Sequence, residues 1–182
     1  GHDFPNVTLV GVLLAEQGLG IPDFRATERT FQLITQIAGR AGRAGKPGRV
    51  LVQTSMPEHY ALGFAQKHDS EGFLVEEIAR REERNFPPFS HLVLFRIDGP
   101  KEGQAFEVAS KVAEWAKDSC QRIASATSSL TVVGPAPAPI ERIRERHRFQ
   151  VLLTATRRSE GQQVVRNLFV VLDAEKLPAH VQ

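Results

Sequence analysis

One cysteine, one methionine, one tryptophan and one tyrosine in 182 residues rule out several kinds of chemistry. With Cys120 alone, an intramolecular disulfide is impossible and a cysteine-cluster zinc site is excluded. A single thiol fits a reducing, cytoplasmic setting. Long apolar runs are also missing. Leu9 to Ala15 is the longest, is interrupted by Gly11, and is far too short to cross a bilayer. No basic-then-apolar leader follows Gly1, and the chain is read as a fragment of a longer protein. A phosphate-cradling G-x-x-x-x-G-K-[ST] loop is absent: at Gly45-Lys46, Arg40 stands where the first glycine belongs and Pro47 replaces the hydroxyl residue. No adjacent Asp-Glu pair exists to hold a metal and water. The six histidines lack metal-ligand spacing, and no metal site is expected in this chain. Ser/His/Asp catalysis has no support beyond the residue types, and Trp115 is read as packed.

Hydrophobic residues at 41% and charged residues at 24% give the balance of a folded globular protein. The formal charge of +2 is unevenly spread. Arg40 to Arg49 holds four cations and no acid, and Arg142 to Arg148 holds four arginines beside Glu141 and Glu145. Such clusters point to local anion sites. Val7 to Ala15 reads as a strand buried on both faces, as in a helix-covered parallel sheet. After Gly18, Gly20 and Pro22, a helix is predicted, capped by Asp23 or Thr27 and carrying Phe31, Ile34, Ile37, Ala38 and Ala41 at helical spacing. Gly45 to Gly48 stops it, and Arg49 to Thr54 is the next strand.

From Pro57 to Arg84 the composition predicts two helices joined near Asp69 and Ser70, ended by Pro87-Pro88. His91 to Ile97, Leu130 to Val133 and Arg148 to Thr154 read as strands, with the segment Gly134 to Pro139 closing the second. Helices are predicted over Gln104 to Ile123, with inner face Phe106, Ala109, Val112, Ala113, Ala116, Cys120 and Ile123, and over Gly161 to Leu172. The order β-α-β-β-α is a split βαβ, ferredoxin-like arrangement lacking a last strand that should start near His180. The expected organisation is three segments: 1–56, a helical linker over 57–89, and a truncated domain over 90–182.

The most informative residues are Gln36-Ile-Ala-Gly39-Arg40-Ala-Gly42-Arg43. In a continuing helix, Gln36, Arg40 and Arg43 share one face. Gly39 and Gly42 would then cost about 1 kcal/mol each relative to alanine, so close approach of a backbone or ligand should offset them. Two guanidinium forks on a glycine-thinned face suit a phosphate. The plain alternative is a helix whose arginines pair with Glu28 or Asp23 and whose glycines mark a frayed end. It does not account for both glycines together with both arginines.

QIAGRAGR resembles the Q-x-x-G-R-x-G-R signature, motif VI, of superfamily 2 helicases. The resemblance implies that Arg43 is an arginine finger to the γ-phosphate of ATP, Arg40 a second contact, and Gln36 a polar sensor, with Gly39 lining the nucleotide. Gly1 to Val7 resembles motif V, placing Asp3 at the coupling of nucleotide to nucleic acid. Pro22 to Ala26 and Glu28 to Gln32 leading into that signature, then Pro57 to Tyr60, Arg80 to Glu83, Pro87 to Ser90 and Gly134 to Ile140, are similar in order to the primosomal protein N′ family. This resemblance covers nearly the whole chain. It implies an α/β fold: the distal part of a RecA-like helicase lobe, the helical linker, and the ferredoxin-like α+β domain as a DNA-binding domain. It also implies a C-terminal part of an ATP-dependent 3′–5′ DNA helicase for replication restart at stalled forks. ATP and Mg²⁺ would be held mainly by another part of the protein, and the family's zinc insertion lies elsewhere. The partners implied are forked or single-stranded DNA, the acidic tail of single-stranded DNA-binding protein, and other primosome proteins, with no membrane. Alone, this chain is expected to bind without hydrolysing ATP. A non-enzymatic nucleic-acid- or protein-binding module is the alternative, and an RNA helicase lobe a third reading that the C-terminal half disfavours.

Two further features await that frame. Arg142, Arg144, Arg146 and Arg148 recur every two residues, so an extended backbone puts all four on one face, with Ile143, His147 and Phe149 opposite. A row of guanidiniums beside an aromatic suits a DNA backbone. A solvated hairpin in which Glu141, Glu145 and the arginines neutralise one another is the plain alternative. Arg157 and Arg158 begin a helix, where cations oppose the macrodipole. The resemblance implies that Arg158 and Gln162 meet the acidic tail.

Overall fold

The valine-rich N-terminal run forms β1 (Leu9–Val12), one turn of helix α1 (Glu16–Leu19), then α2 (Ala26–Ala38) and β2 (Arg49–Val52). β1 and β2 pair in parallel, Leu9 opposite Arg49 through Val12 opposite Val52, so the strand–helix–strand alternation closes as a parallel unit. The computed structural model describes residues 7–39, 41, 48–125, 129–175, 177 and 179–181. By their contacts they divide into units 1–80 and 81–182.

In the first unit, Phe31 and Ile34 of α2 pack with Ala61 and Ala65 of α3 (Tyr60–Gln66) and Phe73 of α4 (Ser70–Glu83). The segment read as a linker thus supplies much of this core. α3 ends at Gln66 with Lys67 as its C-cap, His68 turns the chain with φ of 54°, and the Asp69 carboxylate accepts from the Gly72 amide at 2.8 Å to start α4. The expected capping of α2 is different. Its first turn is preceded by Asp23, which accepts from the Arg25 amide at 2.9 Å and pairs with Arg29, while Thr27 lies inside the helix. The reading of β1 as buried on both faces is corrected: Leu9 is 57% exposed, and Leu51 of β2, opposite Gly11, is 62% exposed. The helices pack on one side only, and among the described residues nothing covers the other.

One polar contact is built into this core. The Tyr60 hydroxyl donates to Glu77 Oε2 at 2.6 Å, Glu77 is buried, and Arg80 lies 4.1 Å over the Tyr60 ring. Burial first, then the Glu77 carboxylate, pushes the Tyr60 phenol from 10.0 up to about 12. The folded state therefore favours the protonated phenol. The stability it lends is complete below pH 10 and is lost as pH rises through about 12. Tyr60 is the chain's only tyrosine, so tyrosinate absorbance reads it directly. We expect its midpoint near 12 in the folded chain and in the ordinary range after denaturation. Equal midpoints in the two states would show the contact to be absent.

The second unit holds β3 (His91–Gly99), α5 (Glu102–Ile123), β4 (Leu130–Ile143), β5 (Arg146–Ala155), α6 (Arg158–Ala174) and β6 (His180–Val181). The sheet order is β4-β5-β3-β6, with every neighbouring pair antiparallel. Phe95 and Ile97 of β3 and Phe149, Val151 and Leu153 of β5 face Val108 and Val112 of α5 and Val164 and Leu168 of α6. Both helices therefore cover the same face of the sheet. Asn167 Nδ2 donates to the buried Ser119 Oγ at 3.0 Å and ties α6 to α5.

Three expectations change here. The last strand is present at its start: His180 and Val181 pair with Asp98 and Ile97, filling two positions on the open edge of β3. The proline-rich segment does not end β4 but runs inside it, because β4 is an edge strand and its missing N–H groups leave no ladder bond unmade. The strand shifts register between Val133 and Ala136, where Gly134 has φ of 114° and a Cβ would stand 2.8 Å from the Gln150 carbonyl oxygen. Only glycine fits that approach. Phe106 lies at the rim of the helix face instead of inside it, 49% exposed with its ring 5.4 Å edge-on from Phe149.

Candidate functional site

The Gln36 to Arg43 segment leaves its helix earlier than its spacing predicts. α2 ends at Ala38, and Gly39 is the C-cap, donating its N–H to Thr35 O at 3.0 Å. The argument from glycines inside a helix is thereby corrected for Gly39: at a helix terminus that cost largely disappears. Gln36 and Gly39 are both exposed. A Cβ on Gly39 would meet only the Thr35 and Gln36 carbonyl oxygens, at 3.6 and 3.8 Å, so the fold itself does not require glycine there. Asp3, Arg40 and Arg43 lie outside the described residues. The end of α2 carries the negative pole of the helix dipole, which opposes a phosphate and favours cations.

Beside this helix end opens a cavity of about 430 Å³, walled by Ile34, Ala38, Ala41, Gly48 and Val50 together with polar Thr54 and His68. Among the described residues its lining includes no lysine or arginine.

The arginine-rich stretch departs most from expectation. It is not one strand but the tip of the β4–β5 hairpin. Arg144 and Glu145 form the turn, with φ of 49° and 61°, and Ile143 pairs with Arg146. The four arginines consequently do not share a face. Arg142 lies across from His147, Arg144 projects from the turn, and Arg146 and Arg148 occupy the sheet face away from the helices. Arg142 pairs with Glu145. Arg146 pairs with the Asp98 carboxylate and also donates to Asp98 O at 2.8 Å. Arg148 donates to Ile140 O at 3.4 Å. Neutralisation by Glu145 holds for Arg142, while Arg146 is paired with Asp98 instead. Arg144 is exposed at the tip.

At the start of α6, Arg157 is the N-cap without a side-chain cap, and its guanidinium lies 3.8 Å from Glu160. Arg158 opens the helix, with Gln162 one turn on, and both are exposed. Glu160 is mostly buried, accepts from Ser125 at 3.1 Å, and keeps its second oxygen without a hydrogen-bond partner. Among the described residues no group of three His, Cys, Asp or Glu could hold a metal ion. None of their helices is long and apolar enough to cross a membrane. Sequence reasoning missed two features. One is the Tyr60–Glu77 contact, which joins residues 17 apart. The other is Arg96, whose alternation with Leu92, Leu94 and Asp98 along β3 was the available signal.

Comparison with known proteins adds to this geometry. The profile of the family described as primosomal protein N C-terminal domain matches residues 82–181. The chain is similar to a protein named replication restart protein PriA from Bacillus subtilis, 43% identical over 84% of this chain and 18% of that protein. Its namesake from Treponema pallidum is 38% identical over all of this chain and 26% of its own length. The one from Rickettsia typhi is 30% identical over the same shares. The chain thus spans about a fifth to a quarter of the curated relatives it matches.

Proposed function

The chain belongs to the PriA family of replication restart proteins, and from that premise we propose that it is the arginine-bearing and DNA-binding part of an ATP-dependent helicase. The observation that carries the reading is the sequence Gln36 to Arg43, which begins in the last turn of α2, in a chain whose β1, α2 and β2 form a parallel strand–helix–strand unit of the kind RecA-like lobes are built from. In this reading Arg43 is the finger on the γ-phosphate, Arg40 the second contact and Gln36 the sensor. Gly39 lets the nucleotide approach, and Asp3 couples it to the DNA strand. ATP and Mg²⁺ are held mainly by another part of the protein, as is the family's zinc. The second unit, of ferredoxin-like strand order, is the DNA-binding domain. The setting is cytoplasmic, and other primosome proteins are among the partners.

Gly39 gives a clean test. Local packing tolerates a Cβ there, so Gly39→Ala should leave the unfolding midpoint within about 0.5 kcal/mol of the parent. DNA-stimulated ATP turnover of the full-length protein should nevertheless drop. Unchanged turnover removes the ligand-approach role of this glycine.

For DNA contact the hairpin tip is the stronger candidate, with Arg144 leading, Arg142 beside it and Arg146 and Arg148 behind. Phosphate contacts release counterions, so affinity should fall steeply with salt. For the partner, Arg158 and Gln162 are the contacts proposed for the acidic tail of single-stranded DNA-binding protein. Exposed cations at a helix start have no use in helix stability, and a carboxylate-rich peptide supplies one. We expect Arg158→Ala to weaken tail-peptide binding about tenfold in a titration by fluorescence anisotropy. Affinity equal to the parent's would remove Arg158 from that site.

A further inference from the structure

Apart from Arg146 and Arg148, proposed above to stand behind the DNA-contacting tip, the helix-free face of the second unit's sheet has an order that none of the roles above uses. Strand register places Val133, Leu152 and Leu94 in one row across β4, β5 and β3. Thr131, Thr154 and Leu92 form the row on one side of it, and Gln150 with Arg96 the row on the other. Beyond these stand Arg148, Asp98 and His180. The face therefore grades from aliphatic to basic along the strands. Val133 is 63% exposed and Leu94 40%, on a sheet whose other face is fully packed. The one carboxylate among these rows, Asp98, is taken by Arg146. Among the described residues the Arg96 guanidinium, exposed one row from the aliphatic strip, has no acceptor within hydrogen-bond distance.

We propose that this face docks an amphipathic helical segment of a partner protein, with aliphatic side chains on the Leu92–Leu94 end and carboxylates on the Arg96–Arg148 end. Charge complementarity sets the sign of the partner, since the face offers Arg96 and Arg148 while Asp98, the carboxylate in these rows, is taken by Arg146. Spacing sets its form. Successive rows on one face are roughly 7 Å apart along a strand, slightly more than the 5.4 Å pitch of a helix. A helix laid along β5 thus brings leucines one turn apart onto the Leu92 and Leu94 rows and glutamates over the next two turns onto Arg96 and Arg148. Single-stranded DNA fits less well. The row beside the arginines is aliphatic, and Phe95 of β3 and Phe149 of β5 point into the helix side, which leaves His180 as the one aromatic ring in the rows described.

The test uses the full-length protein and a fluorescent helical peptide with two leucines one turn apart followed by glutamates over the next two turns. Specific binding is expected, weakened about tenfold by Arg96→Glu and by Leu94→Thr, with unfolding midpoints unchanged. Val133→Thr replaces Leu94→Thr if the latter unfolds the chain. A peptide with lysines for the glutamates should bind poorly to the parent and regain affinity on Arg96→Glu. The proposal is overturned if the lysine peptide binds the parent as well as the glutamate peptide does. It is overturned equally if a single-stranded oligonucleotide loses the same factor with both substitutions, which would make the face a DNA surface. A concentration-dependent dimer abolished by Leu94→Thr would assign the face to a second copy instead.

Discussion

Arg43→Ala in the full-length protein should lower DNA-stimulated ATP turnover by roughly 10³-fold or more, the scale on which arginine fingers act in phosphoryl transfer. The loss should fall on kcat, with KM for ATP and affinity for DNA nearly unchanged. A finger binds charge that develops on the transferred phosphoryl group and is weaker in the ground state. Arg43→Lys should recover little, because an ammonium cannot form the two-pronged contact. The argument does not depend on α2 continuing through Arg43. The helix ends at Ala38 with Gly39 as its cap, and Arg40 and Arg43 follow it in sequence. A loss of DNA affinity with turnover preserved would reverse the assigned role.

Phe73→Ala should destabilise the first unit by about 3–5 kcal/mol, the range for emptying an aromatic site in a core. Phe73 is 1% exposed, stacks on Phe31 with centroids 3.9 Å apart, and meets Phe64 edge-on at 6.4 Å. It joins α4 to α2 and α3 in a core whose other buried side chains, among the described residues, are Phe31, Ile34, Ala61 and Ala65, so its neighbours have little with which to refill the space. Tyr60, with its centroid 6.2 Å from Phe73, reports this core by fluorescence. Denaturant unfolding followed at that signal should show the shift. A loss under about 1 kcal/mol would mean that the aromatic cluster contributes little.

The parts of the fold that local pattern determines were legible beforehand. The alternation of apolar run, helical spacing and valine-rich run predicted β1, α2 and β2. The break near Asp69 separated α3 from α4, and the apolar stripe on α5 gave its buried face apart from Phe106. Elements decided by partners across the sheet were not legible. The prolines of β4 read as a stop because nothing local says that the strand lies at an edge. The arginine stretch read as extended because its turn, Arg144-Glu145, has neither the glycine nor the asparagine that usually marks such a hairpin. The exposure of Leu9 and Leu51 was hidden too, since a strand's apolar composition does not say how many layers cover it.

For the candidate site, the residue types were readable from spacing and their placement was not. Gln36 and Gly39 sit where the chain leaves a helix. The four arginines divide between a hairpin tip and an open sheet face, and Arg96 joined that face only when register was known.

The proposed division of labour, hydrolysis at the α2 exit and DNA contact at the hairpin tip, is tested most directly by measuring ATP turnover at saturating forked DNA together with DNA affinity. Both belong on the same two variants of the full-length protein, Arg43→Ala and the double substitution Arg142→Ala/Arg144→Ala. The account predicts that the first loses turnover and keeps affinity, while the second loses affinity and keeps turnover once DNA saturates. Both quantities falling together in both variants, or the two losses exchanged, would contradict it.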